Sequence, residues 1–324
     1  MAARWRRRRW RRRWVLNTAA FERHRAEILW IAGQSLNRDG TKAARIAVLV
    51  DRNPPLWPNA AMLRFAILLL ICALPAHAQE RTEVDVELFL AVDVSRSMQP
   101  FELEIQRRGY AAALVSDEVQ TALSAGLLGR IAVTYVEWAG ADSQRVVVPW
   151  TILDGPEAGA RIATSITAHV QDALRRTSIT GVLDYAAQSI EINAFNGLRR
   201  VIDVSGDGPN NMGGPVTQAR DRTLARGITI NGLPLMTQDD SFTARYNIDD
   251  LDAYYTACVI GGTGAFVLPV TDWAEFEDAV RRKLVLEIAD RPQERIWRAQ
   301  TSAPYNCNIG EEIWQRNQSL FAYP

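Results

Sequence analysis

Residues 84–92 begin by alternating, with Val84, Val86 and Leu88 set against Asp85 and Glu87, and end in an unbroken apolar run. That change of pattern predicts a central strand covered on both faces. Pro100 opens an amphipathic stretch that predicts one long helix over 100–125. Alternation returns at 130–138, where Ile131, Val133 and Tyr135 share a face, and again at 144–150. The latter strand belongs nearer an edge, because Pro149 has no N–H for a ladder. Helical spacing then predicts helices over 155–174 and 181–192, followed by a fourth strand over 199–205. A helix over 214–226 ends at Gly227, a residue suited to a helix C-terminus. A fifth strand over 228–233, a short helix over 251–258, a sixth strand over 265–268 and a final helix over 272–288 complete the series. Asp272 is placed to cap that last helix. Strands alternating with helices predict an α/β fold: a doubly wound, mainly parallel sheet flanked by helices on both faces. No internal repeat is evident. The tail 290–324 shows no clear periodicity, and either packs back on the domain through Cys307 or stays loose.

The 324 residues carry no net charge, but the balance hides two unlike pieces. Residues 1–61 carry a net +10, with eight arginines among the first 13, whereas residues 79–324 carry a net −11. A globular part this acidic makes a poor nonspecific nucleic-acid binder, since phosphate contacts need a basic face. Between the pieces, Met62-Leu63-Arg64 precedes an apolar run from Phe65 to Leu74 and the small-x-small sequence Ala76-His77-Ala78. This is the layout of a secretory signal peptide over 62–78. The run is too short to span a bilayer core of ~30 Å, so no transmembrane helix is expected after cleavage. Because such signals act at an N-terminus, Met62 is the expected start and 1–61 an extension outside the fold. Cys72 falls within the removed segment. The expected location is a bacterial periplasm or the exterior, where disulfides persist. Cys258 and Cys307 then either pair, closing a loop of about 50 residues worth ~4 kcal/mol, or remain buried thiols.

In a doubly wound sheet, ligands sit beyond the carboxyl ends of the strands. Three segments put oxygen ligands there. Asp93-Val94-Ser95-Arg96-Ser97 follows the first strand, and in extended chain positions 93, 95 and 97 face one way. Thr177-Ser178-Ile179-Thr180-Gly181 is a hydroxyl-rich loop opening a helix. Ser205-Gly206-Asp207-Gly208 follows the fourth strand. Two carboxylates and several hydroxyls form an all-oxygen set that suits a hard cation better than zinc. Taken alone, Asp-x-Ser-x-Ser is commonly a turn or cap, because those side chains bond nearby backbone N–H groups. Its place at the end of an apolar strand favours the metal reading. The 206–214 loop lacks the lysine and glycine spacing of phosphate-binding loops. Arg96 reads as a solvated residue or a steering charge, and Trp138, Trp150 and Trp273 as packing residues.

Asp93-x-Ser95-x-Ser97 with a downstream threonine and an Asp-Gly pair resembles the metal-ion-dependent adhesion site of von Willebrand factor A and integrin inserted domains. The resemblance covers about 200 residues and extends to an uncharacterised bacterial family of exported proteins of this type. It implies a Rossmann-like fold and a site for Mg²⁺, Mn²⁺ or Ca²⁺ made by Asp93, Ser95, Ser97, Thr177 and Asp207. Ser95 and Ser97 would ligate directly, Asp93 and Asp207 directly or through water, and Thr177 when ligand arrives. Thr177 is preferred to Thr180 for its offset from Leu183. The loop 205–211 departs from the family pattern in its wealth of Gly and Asn. The implied function is capture of a partner protein's Asp or Glu carboxylate. Two other readings stand beside it: a structural module with an empty site, and a metal-dependent phosphoesterase using Asp93. The mature chain has one histidine, His169, which leaves no Ser-His-Asp triad and no histidine-rich zinc site.

Overall fold

The computed structural model describes residues 81–169, 173–237, 247–289 and 305–320. The expected extension 1–61, the signal peptide 62–78 and Cys72 lie outside the described residues. The strands are β1 (Thr82–Asp93), β2 (Ile131–Trp138), β3 (Gln144–Leu153), β4 (Phe195–Gly206) and β5 (Thr229–Pro234). They form one sheet in the order β3-β2-β1-β4-β5. All neighbours run parallel except β3, an antiparallel edge strand. The pattern of β1 shows why it is central. Val86, Leu88, Leu90 and Val92 enter one core, and Phe89 and Ala91 enter the other.

Helices cover both faces. The first core packs α1 (Pro100–Val115), α2 (Asp117–Ser124), α3 (Pro156–Ala168) and α7 (Phe276–Ala289) on the sheet. The second packs α4 (Ile179–Ile192), α5 (Val216–Leu224), α6 (Leu251–Tyr254) and the π-helical turn Tyr255–Val259. The strand order reverses at β1, flanked by β2 and β4, so the carboxyl ends of β1 and β4 open the crevice where such folds place ligands.

Four expectations are corrected in detail. The helix over 100–125 breaks at Ser116, whose backbone is extended and whose hydroxyl accepts the Val119 N–H to start α2. The helix expected to reach Leu174 ends at Ala168, and Leu174 instead pairs with the chain beside Ser95. The short helix over 251–258 widens into the π-helical turn after one turn. Residues 265–268 make a single bridge rather than a sixth strand, Val267 on Gly232, and a second bridge follows just beyond them, Val270 on Leu235. Turns at Gly262 and Gly264, both at positive φ, precede this segment, and Pro234 of β5 has no N–H to give the Leu268 carbonyl between the two bridges. Asp272 caps as expected, its carboxylate accepting the Ala274 N–H at 2.9 Å.

A charged cluster ties α7 to the sheet. Lys283 Nζ lies 2.7 Å from Asp203 Oδ1 and also bonds Glu287. Asn231 of β5 donates to Glu287 at 2.9 Å. Lys283, Asp203 and Glu287 are each at most 2% exposed, so water gives this cluster no help.

The tail folds back. Cys258, in the π-helical turn, and Cys307 form a disulfide, which anchors a further helix, α8 (Ile309–Leu320). Cys307→Ser removes that anchor. It is expected to raise hydrogen–deuterium exchange across 309–320 while β1 and β4 stay protected, because α8 is held at its start by this bond and the central strands are not. Equal protection of 309–320 in both proteins contradicts this role.

Candidate metal centre

β1 and β4 deliver the first groups of the site. Val92 pairs with Ser205 and Asp93 with Trp138, so both strands stop at the same level. Beyond β1 the chain is held on both sides: Val94 N–H bonds Trp138 O at 2.9 Å, and Val94 O accepts the Leu174 N–H at 2.7 Å. Gln106 of α1 donates to the Asp93 carbonyl at 3.1 Å. The loop is therefore fixed before any ligand arrives. Asp93 Oδ1 accepts the Ser95 N–H at 2.6 Å, a turn of the kind Asp favours. Ser95 and Ser97 hydroxyls lie 2.9 Å apart, and Ser97 Oγ donates to Asp207 Oδ1 at 2.8 Å. Four of the five residues read from the sequence thus form one chain of contacts.

Thr177 enters from the segment that the shortened α3 releases. Its N–H bonds the Asn211 side chain at 3.1 Å, and its carbonyl accepts the Asn211 N–H at 2.9 Å. Thr177 lines the same cavity as Ser95 and Ser97. Thr180 is turned elsewhere, its hydroxyl donating to Gly214 O at 2.9 Å. Of the two threonines, Thr177 lines the cavity and Thr180 does not.

Among the described residues no ion pair reaches Asp93 or Asp207. Asp93 is fully buried, and its Oδ2 has no hydrogen-bond partner among the described residues. Burial, then the neighbouring Asp207 charge, pushes its carboxyl well above the ordinary range. Burial likewise raises Asp207 to about 6, against the opposing hydrogen bond from Ser97. Two close carboxylates, one with an orphaned buried oxygen, are costly unless something positive joins them. Among the described residues no group of three His, Cys, Asp or Glu side chains converges to hold a metal. A cation here would be held by two carboxylates and hydroxyls, a donor set fitting Mg²⁺, Mn²⁺ or Ca²⁺.

Several neighbours carry no local signal in the sequence. The Tyr255 hydroxyl is buried without a partner among the described residues. Gly206 separates it from Asp93: a Cβ there would meet both Asp93 Oδ2 and Tyr255 Oη at 2.9 Å, so only glycine fits. Asn210 clamps the following loop, donating to Gly214 O at 3.0 Å and to Glu311 of α8 at 2.6 Å. Gly310 packs on the same loop so closely that a Cβ would fall 2.1 Å from Asn210 O. Above the site lies a cavity of about 470 Å³ lined by Arg96, Arg175, Arg176 and Trp314 besides the serines and Thr177. Arg176 takes φ +78°, a left-handed backbone uncommon for a side chain of this size, and its guanidinium stacks 3.4 Å over the Trp314 ring.

Solved structures similar to the chain are distant. Proximal thread matrix protein 1 from the mussel byssus is 16% identical with a TM-score of 0.44, over 65% of this chain and 49% of that one. The chain thus spans about half the length of the mussel protein it matches. The same mussel protein has also been solved with a zinc-occupied MIDAS motif. A von Willebrand factor type A protein from Catenulispora acidiphila is 16% identical, with a TM-score of 0.42, over 64% of this chain and 43% of that one. The conserved hypothetical protein BatB from Bacteroides thetaiotaomicron is 18% identical, with a TM-score of 0.39, over 64% of this chain and all of that one. No curated protein matches. The family model that does match covers residues 83–292, the whole sheet with its flanking helices, and the chain belongs to that family, described as a protein of unknown function, DUF1194.

Proposed function

We propose that the chain is an exported protein-binding module. Asp93, Ser95, Ser97, Thr177 and Asp207 hold a divalent cation, Mg²⁺ or Mn²⁺ by donor type, through which a partner's Asp or Glu carboxylate is captured. The observation that carries this reading is the buried carboxylate pair. Asp93 Oδ2 has no partner among the described residues, and the hydroxyl chain from Ser95 through Ser97 reaches Asp207. A bound cation would supply the positive charge that the pair lacks and would attract a partner's carboxylate. The protein's own part is positional. The Val94 and Gln106 bonds keep Asp93 and the serines in register, and the Asn211 clamp keeps Thr177 at the cavity wall. No helix among the described residues is long and apolar enough to cross a membrane.

Calorimetric titration of Mn²⁺ into the full-length chain tests the assignment. One binding event per chain is expected, and Asp207→Ala should weaken it at least tenfold by removing a charged ligand. Mn²⁺ uptake that Asp207→Ala leaves unchanged contradicts the site.

A further inference from the structure

The cavity above the proposed metal position has a charge of its own. Arg96, Arg175 and Arg176 line it, and no Asp or Glu is among its described lining residues. Arg96 and Arg175 are exposed and have no carboxylate within ion-pair distance among the described residues. This is a positive pocket in a globular part whose net charge is −11. A field of that sign, partly enclosed, selects anions. Trp314 makes one wall, and it comes from α8, which Cys307 anchors and the Asn210–Glu311 bond presses on the loop beside Asp207. The helix narrows what would otherwise be an open face into a cavity of about 470 Å³. That volume admits a short projecting segment and excludes a broad globular surface.

We infer that the occupant is a short acidic segment of a partner protein, with one carboxylate directed to the metal position and an adjacent one held by Arg96 and Arg175. The inference rests on the proposed metal site and adds to it a preference for paired acids. Arg176, stacked on Trp314, holds the wall, while Arg96 and Arg175 read the second charge. One carboxylate satisfies the cation alone, and the second distinguishes this pocket from a site that binds any single acid.

The test compares two acetylated, amidated, fluorescein-labelled pentapeptides, carrying either one aspartate or two adjacent aspartates among glycines. Each is titrated with the full-length chain in saturating Mn²⁺, after Mn²⁺ binding has been measured separately. The two-aspartate peptide should bind about tenfold more tightly. Arg96→Ala with Arg175→Ala should erase that difference while leaving the one-aspartate peptide bound and the far-ultraviolet circular dichroism unchanged. A control removing two other arginines, Arg161→Ala with Arg226→Ala, should preserve it. Equal affinity for the two peptides, or a difference that survives loss of Arg96 and Arg175, overturns the inference. So does loss of the difference in the control, which would make it an effect of net charge. Failure of both peptides to bind a chain that takes up Mn²⁺ overturns it and leaves the metal site standing. Failure of Mn²⁺ itself to bind removes both. Free succinate competing as strongly as the two-aspartate peptide assigns the pocket to a small dianion and overturns the protein partner.

Discussion

Lys283→Met is expected to lower the unfolding free energy by ~3–5 kcal/mol, a large share of what a domain of this kind has. Lys283 is the cation between two buried carboxylates, and methionine fills its space without its charge. Asp203 and Glu287 are then left facing each other out of water. The charge-free triple replacement Lys283→Met, Asp203→Leu and Glu287→Gln should recover much of the loss. It removes all three charges and still gives Asn231 an acceptor. The pH dependence has a definite sign. Burial, then Glu287, raises Asp203 from its ordinary 3.8 to about 7, with Lys283 opposing. The folded chain therefore keeps a proton that the unfolded chain has already lost. This group's contribution to stability is fully present at low pH and declines as pH rises from about 4 to about 7. Without Lys283 the rise is unopposed, so the deficit of Lys283→Met should be larger at pH 8 than at pH 5. Urea unfolding at the two pH values measures both effects. A deficit under 1 kcal/mol, or one that shrinks as pH rises, contradicts the account.

Lys283 also shows where the sequence stops being informative. On an amphipathic helix, a lysine four residues before a glutamate reads as a solvated surface pair, and only the packing of α7 on β4 and β5 reveals a buried one. The pattern of β1 was legible because burial on both faces leaves a local signature, a run without alternation. The carboxylate and hydroxyls of Asp93, Ser95 and Ser97 were legible for a related reason, since they are contiguous and follow a strand end directly. Asp207 was legible by the same position after β4. Thr177 was reached only by its offset from α4, because its path depends on Leu174 pairing with the chain beside Ser95, a contact between distant segments. The break at Ser116 was missed because serine is unremarkable inside a helix until its hydroxyl caps the next one. Tyr255, Arg175, Arg176 and Trp314 had no signature at all. A π-helical turn, a left-handed residue and a disulfide-anchored helix bring them to the site, and none of these has a local pattern. The α8 segment lies beyond the residues that the family model matches, 83–292.

The second large effect concerns Asp93 and depends on what the buffer contains. Asp93→Asn keeps the shape of the side chain and the oxygen that accepts the Ser95 N–H. It removes the buried charge that has no partner at Oδ2 and stands against Asp207. In chelator, relief of that repulsion should make the variant more stable than the wild type by ~1–2 kcal/mol. In Mn²⁺ the order should invert. A metal at a hundred times its dissociation constant adds ~2.7 kcal/mol to the chain that binds it, a rise of ~5–10 °C for a domain of this size. The variant, lacking a charged ligand, gains little.

Thermal melts of the full-length wild type and Asp93→Asn, each in EDTA and in saturating Mn²⁺, put the central claim to its most direct test. A crossing is expected, with Asp93→Asn melting higher in EDTA and the wild type melting higher in Mn²⁺. Melting curves whose order is the same in both buffers, with no rise for the wild type in Mn²⁺, contradict the claim that this carboxylate pair is built to hold a cation.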